Sequence, residues 1–265
     1  MTSDKPLEGK RILVTRAKAQ AERFAASIRK LGGIPVVIPL IRIARPKDVA
    51  PLVEAINEIQ SFDWLVFTSQ NGVKAFFSFM RSEKISAAQL ERLNIAVVGE
   101  KTRDAVHAYG CLAKVIPSGE YTAESLAAEF LRHVKRGERV LFPRGNLARD
   151  VLPKTLREHG VCVHDVIAYE TGINEEVRHE LQSEVIEGRL DAIAFTSPST
   201  VDHFVTLLHS VDWRSKAAEI CLAAIGPITE QMMKKHGLQP HVVAKLNTTD
   251  GLLQAIVEFF EKEEE

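Results

Sequence analysis

The sequence predicts an α/β protein of two parallel-sheet domains related by internal duplication, and three observations carry that prediction. Short apolar runs alternate with segments of helical spacing along nearly the whole chain, the pattern of parallel strands covered by helices. Three strand–turn–helix units recur in the same order about 128 residues apart. The sharpest unit is a corner used twice: Asp63 or Asp191, an apolar run from Trp64 to Phe67 or Ala192 to Phe195, then Thr68-Ser69 or Thr196-Ser197 and a helical pattern.

Taken in order, Arg11 to Arg16 reads as the first strand. The helix after it keeps Ala21, Phe24, Ala25, Ile28 and Leu31 on one face, Gly32 and Gly33 end it, and Ile34 to Ile38 is the next strand. An extended stretch, Pro39 to Pro46, then breaks the alternation. Trp64 to Phe67 opens into a helix at Ser69, in which Phe76, Phe77, Phe79 and Met80 have the spacing of core residues. Ile95 to Val98 leads through a turn at Gly99 to a helix containing Thr102 and ending before Gly110, and a strand near Lys114 to Ile116 leads to Thr122 and another helix.

The second half repeats this order. Arg139 to Arg144 is a strand; Leu147, Val151, Leu152 and Leu156 mark a helix; Gly160 closes it and Val161 to Ile167 returns as a strand. Pro153 inside that pattern requires a late helix start near Asp150, or a kink. Ala168 to Ile173 is the second break in the alternation. After Ala192 to Phe195, Ser197 is placed as an N-cap and Pro198 as the first helical residue, with Val201, Phe204, Val205 and Leu208 on one face. Leu222 to Ile225, Gly226 and a helix through Thr229 to Gly237 form the third unit, and a strand at His241 to Val243 and a helix after Thr248 close the chain.

The two breaks are equivalent under the repeat and are candidates to pair as a two-stranded connector, with strands near 39–46 and 167–173. If they do, one domain holds residues 1–40 plus 172–265 and the other 41–171; the alternative is two contiguous halves dividing near Gly137. Periodicity leaves both open. In either case right-handed crossovers put a small-molecule site outside the carboxyl ends of the strands, where Thr15, Arg16, Thr68, Ser69, Gly99, Arg144, Ser197 and Gly226 fall. Helix starts there aim bare N–H groups and a hydroxyl at the sheet edge, which suits an anion.

Composition narrows the class. The 265 residues suffice for two domains, and 45% hydrophobic and 26% charged residues are ordinary for a globular protein. A formal net charge of -1 gives no general attraction to nucleic acid. Three isolated cysteines, Cys111, Cys162 and Cys221, lack the spacing of a disulfide framework or a zinc site, and the nine histidines form no metal-ligand pattern. Residues 1–10 lack the apolar run of a signal peptide, and the longest apolar stretch, near Ile34 to Ile43, is broken by prolines and Arg42. A cytoplasmic enzyme without metal, membrane or nucleic-acid partner is expected.

With these residues laid out, the chain resembles the uroporphyrinogen-III synthase family over nearly its whole length. The marks are Val14-Thr15-Arg16, Phe67-Thr68-Ser69 with Asn71-Gly72-Val73, Gly99 with Thr102, Phe142 to Asn146, Ile167-Ala168-Tyr169, Phe195 to Ser199 and Ala224 to Pro227. The resemblance implies two flavodoxin-like domains joined by a two-stranded connector, hence the discontinuous division. It implies a cofactor-free lyase of haem and porphyrin biosynthesis that cyclises hydroxymethylbilane to uroporphyrinogen III, losing water and inverting ring D. A cytoplasmic monomer is expected, with transient contact with the preceding enzyme of the pathway.

By the same resemblance, Tyr169 matches a connector tyrosine able to donate a hydrogen bond to the departing hydroxyl. Ser69, Thr102, Ser197 and Thr229 are the expected anchors for the substrate's carboxylates, joined by Asn71, Asn146 and Gly226 from the matched motifs. Arg16, Lys18, Lys74, Lys101, Arg144 and Arg149 are candidate cations beside them.

Plainer roles stand beside these. Ser69 and Ser197 serve equally as helix caps, Gly99 and Gly226 as tight turns, and Arg16 and Arg144 as solvated side chains or partners of local carboxylates. No dinucleotide fingerprint follows any strand. The alternative from another class is a non-catalytic two-domain protein binding a small polyanionic ligand, since duplicated α/β domains around a hinge also build binding modules.

Overall fold

The structure is a computed structural model that describes residues 5–263, the side chains of Lys18 and Ala19 excepted. The first four of the residues read for a signal peptide, and the Lys18 cation, lie outside the described residues.

The first strands and helices are β1 (Arg11–Val14), α1 (Lys18–Lys30), β2 (Ile34–Val37), β3 (Ile41–Ala44), α2 (Ala50–Asn57), β4 (Trp64–Phe67) and α3 (Gln70–Ser82). They are followed by β5 (Asn94–Val97), α4 (Glu100–His107), α5 (Ala123–Phe130), β6 (Arg139–Gly145), α6 (Val151–Glu158) and β7 (Cys162–Ile173). The chain continues with α7 (Arg178–Ile186), β8 (Ala192–Phe195), α8 (Pro198–Leu208), α9 (Arg214–Ala217), β9 (Cys221–Ala224), α10 (Pro227–Lys235), β10 (Val242–Val243) and α11 (Thr249–Glu263).

The chain forms two compact units: one runs to Arg42 and resumes at Gly172, and the other is Ile43–Thr171. In the first, the sheet order is β10-β9-β8-β1-β2, with parallel pairing at every junction. Counted from β1 along the chain this is the order 2-1-3-4-5 of flavodoxin-like sheets. In the second the order is β3-β7-β6-β4-β5, and an isolated parallel bridge from Ala96 to Val115 stands where the first unit has β10. The repeat equates β6 and β7 with β1 and β2, and β4 and β5 with β8 and β9. The second sheet therefore has the same spatial order with its chain order permuted.

Each sheet is buried on both faces, as parallel sheets require. In the first unit Leu13, Ile193, Phe195 and Leu222 point into one core with Phe204 and Trp213, while Ile12, Val14, Ala192 and Ala223 point into the other with Phe24 and Phe260. In the second, Leu65, Phe67 and Ile95 meet Phe76, Phe77 and Met80, and Trp64, Val66 and Ala96 meet Leu126 and Phe130. The phenylalanine cluster of α3 is core, as its spacing requires.

The aspartate before each corner has a physical reason. Asp191 Oδ2 accepts the Arg11 N–H at 2.7 Å and Asp63 Oδ2 accepts the Arg139 N–H at 2.8 Å, so each side chain ties down the start of the neighbouring strand. The backbone repeats the link, since the N–H groups of Asp191 and Asp63 donate to the carbonyls of Arg11 and Arg139, both at 2.9 Å.

Several local expectations are corrected. Leu147 is 73% exposed and lies in the loop before α6, because that helix starts only at Val151. Pro153 then sits in the first turn, where its N–H would have no partner within the helix in any case. The segment near Val115 forms one bridge instead of a strand. Val161 to Ile167 and the following break are one strand, β7, which lies beside β3 in the sheet order.

Candidate active site

In a doubly wound sheet the crevice for a ligand opens where successive crossovers leave in opposite directions. In the first unit this point lies between β1 and β8, whose carboxyl ends carry Arg16 and Ser197; in the second it lies between β6 and β4, which carry Arg144, Gly145 and Ser69. The two units are unequal there.

In the second unit a cavity of about 450 Å³ is lined by Thr68, Ser69, Tyr121, Thr122, Gly145, Leu147, Arg149, Tyr169 and Thr171, among others. Ser69 is the N-cap of α3: its extended backbone turns Oγ back to accept the Gly72 N–H at 3.0 Å. The same Oγ lies 3.0 Å from the Tyr169 hydroxyl. A serine hydroxyl has one proton and two lone pairs, so it can accept from Gly72 and donate to Tyr169 at once.

Tyr169 is held by what surrounds it. The pairing of β6 with β7 shifts register between Arg144 and Gly145, bringing Gly145 opposite Tyr169. A β-carbon on Gly145 would lie 2.7 Å from Tyr169 Cζ, so only glycine leaves room for the ring. Beyond it, Asn146 replaces missing backbone partners: its Oδ1 accepts the Thr171 N–H at 2.8 Å and its Nδ2 donates to the Thr171 carbonyl at 3.2 Å. Asn146 is thus occupied in orienting the strand that presents Tyr169.

The predicted cations divide in two. Arg144 is largely buried; its guanidinium lies 2.8 Å from Asp150 and 3.0 Å from Asp165 and donates to the Ala148 carbonyl, which pins the loop bordering the cavity. Arg149 reaches the cavity and is paired in two-pronged fashion with Glu124, at 2.6 and 3.0 Å. That pairing holds the Glu124 carboxyl below its ordinary pKa. Lys74 and Lys101 stand exposed and make no ion pair among the described residues.

In the first unit, Arg16 bonds only the Gln20 amide oxygen, at 2.8 and 3.2 Å, and has no carboxylate partner among the described residues. Burial lowers its pKa from the ordinary arginine value. An unneutralised, partly desolvated cation at a strand end has strong reason to take up an anion. Ser197 caps α8 through a capping box with Thr200, and its Oγ lies 3.0 Å from Ser199 Oγ.

Thr102 and Thr229 are only 4% and 2% exposed and face the interior from the first turns of α4 and α10. Asn71 is half-buried in the first turn of α3, and its amide makes no hydrogen bond among the described residues. Gly99 and Gly226 have φ values of 179° and 175°, extended backbone open to any residue. Their need for glycine is close packing, since a β-carbon would lie 2.7 Å from Tyr121 Cγ at Gly99 and 2.3 Å from Asn247 Oδ1 at Gly226.

Tyr121 was not singled out from the sequence. A signal was present: Tyr121 precedes the cap Thr122 as Asn247 precedes Thr248, so the repeat itself sets an aromatic residue against an amide. Among the described residues, no group of three or more His, Cys, Asp or Glu is placed to hold a metal ion. No helix among them is long and apolar enough to cross a membrane.

A parallel sheet of order 2-1-3-4-5 and a second, mainly parallel sheet built on the equivalent strands, with a hydroxyl-lined cavity at its carboxyl ends, define a duplicated flavodoxin-like α/β protein. The sequence profile described as "Uroporphyrinogen-III synthase HemD" matches residues 22–254. The chain is 36% identical to the uroporphyrinogen-III synthase of Synechococcus elongatus over 96% of its own length and 97% of that protein's. The chain belongs to the uroporphyrinogen-III synthase family. It is also 30% identical to the porphyrin biosynthesis protein HemD of Ruminiclostridium josui, matching 96% of this chain and 49% of that longer one. A mutant uroporphyrinogen III synthase of Thermus thermophilus shares the fold, with a TM-score of 0.57 at 20% identity over 96% of this chain and all of that one.

Proposed function

We propose that this chain closes hydroxymethylbilane to uroporphyrinogen III, with loss of water and inversion of the fourth ring, and that Tyr169 assists departure of the hydroxyl. The supporting observation is the 3.0 Å approach of the Tyr169 hydroxyl to Ser69 Oγ beside a cavity that can admit a pyrrole ring. With Gly72 N–H donating to Ser69 and Ser69 O–H donating to Tyr169, the phenol's own proton is free to point at the substrate. The same chain of bonds stabilises the phenolate once that proton has left.

The bilane loses its hydroxyl readily, because the pyrrole nitrogen pushes electrons into the breaking bond. Left in water it closes without rearrangement to the type I isomer. Holding the flexible chain so that its last ring attacks through a substituted carbon is therefore the protein's main task, and restricting geometry is an effective way to do it. The substrate's eight carboxylates call for anion sites. We assign these to Arg16, the helix starts at Ser69, Asn71, Ser197 and Gly226, and the first turns containing Thr102 and Thr229. Arg144 and Asn146 serve through the loop and strand they fix.

We further propose a cytoplasmic monomer, supported by the burial of separate cores within each unit, with brief contact with the enzyme that releases the bilane. Rapid transfer would limit spontaneous closure. The test is to supply freshly generated hydroxymethylbilane and separate the products by isomer. Type III product is expected; type I alone overturns the assignment and leaves a polyanion-binding protein.

A further inference from the structure

We propose that Tyr121 is the aromatic platform against which the reacting pyrrole ring lies as it becomes cationic; this rests on the reaction and the Tyr169 role given above. Tyr121 stands just before the cap of α5 and lines the same cavity as Tyr169 and Ser69. Its side chain is 51% exposed, and its hydroxyl makes no hydrogen bond among the described residues. One side is nevertheless packed: the ring lies where a β-carbon on Gly99 would be, 2.7 Å from Cγ. Tyr169 also lies against a glycine, Gly145, but by its hydroxyl end, where Tyr121 meets Gly99 by the root of its ring. Two of the chain's three tyrosines thus share one cavity, each seated on a glycine at a strand end.

Duplication supplies the control. In the first unit Gly226 faces the amide of Asn247, and the position equivalent to Tyr169 is Ile41. The sheet order and the capped corner are repeated there without either aromatic ring. Packing of this fold therefore has no need of the two tyrosines, and their presence in the second unit points to a ligand.

The chemistry identifies what that ligand offers. As the C–O bond breaks, its electron pair leaves on oxygen, which takes the Tyr169 proton and departs as water. The pyrrole nitrogen's lone pair forms a ring C=N bond while the ring's π electrons shift to make the exocyclic C=C bond, and the ring is positive until its N–H proton passes to the Tyr169 phenolate. The electron-rich face of an aromatic ring attracts such a cation more strongly than it does the neutral pyrrole. Tyr121 would favour the charged state over the bound substrate, so its effect falls on turnover more than on binding.

The experiment compares Tyr121→Leu, Tyr121→Asn and Tyr121→Phe in the full-length protein, using fresh bilane, isomer separation and thermal melts. The leucine and asparagine variants are expected to lose about tenfold in kcat with KM changed less than about twofold. Both should also release a larger share of type I isomer. Tyr121→Phe, which keeps the ring, should recover most of the loss. Asparagine is the residue of the matched position and guards against a leucine variant that folds poorly. Wild-type kcat in either variant, or a phenylalanine variant as slow as leucine, overturns the proposal. Failure of the parent reading looks different: the unmodified protein would then form no type III isomer.

Discussion

At the residue scale, the candidate site is a set of side chains whose freedom has been removed by their neighbours. Ser69 acts as helix cap and partner of Tyr169 with one oxygen, so its structural role and the one proposed for it in the reaction coincide. Tyr169→Phe is expected to lower kcat by about tenfold to a hundredfold, the range of a modest acid contribution. Its melting temperature should change little, because the ring remains on Gly145. An unchanged turnover in the isomer assay would remove the phenol from the mechanism. Ser69 and Ser197 were legible as helix caps because the repeated corner names them, while Tyr169 came forward only through the family resemblance. Pairing of Arg144 with local carboxylates was one of the alternatives the sequence offered, but that Asp165 is one of the partners was hidden, since it follows from a strand register that no local pattern encodes. The same holds for Asn146 and Thr171, which lie 25 positions apart.

At the scale of elements, strands were the clearest feature because burial on both faces writes them as continuous apolar runs. Helices α2 and α7 went unread: α2 and α7 bury only Leu52, Ala55 and Ile56, and Leu181 and Val185, too few positions to establish a period. Leu147 misled because an exposed apolar residue happened to continue the spacing of α6. The aspartate ties offer a direct test. Asp191→Ala leaves the Arg11 N–H short of its side-chain partner and should cost about 1–2 kcal/mol in urea unfolding. Asp63→Ala should cost less, since the matching bond at Arg139 is exposed and water can replace it. Equal losses, or none at Asp191, would show that the backbone links alone hold the strand starts.

At the scale of the whole molecule, the duplication was legible from three units in constant order, while the assignment of pieces to units depends on which strands pair. The chain changes unit at 42–43 and again at 171–172, on β3 and β7. A fragment of residues 43–171 contains both cores of its sheet and is expected to unfold cooperatively by itself, without synthase activity. A fragment of residues 1–137, one full copy of the repeat, should not fold as a monomer, because it holds two strands of one sheet and the remainder of another. Circular dichroism and sedimentation of the two fragments would decide this, and a folded monomer from 1–137 would contradict the division.

The permuted order of the second sheet carries an implication about ancestry. Each compact unit is stitched from the leading piece of one copy and the trailing piece of the other, the arrangement left when two half-length chains exchange segments and are later fused end to end. On that history, neither copy ever had to stand alone within the joined chain. Each was then free to differ at its strand ends, so that the second unit carries two phenols where the first carries an amide and an aliphatic side chain.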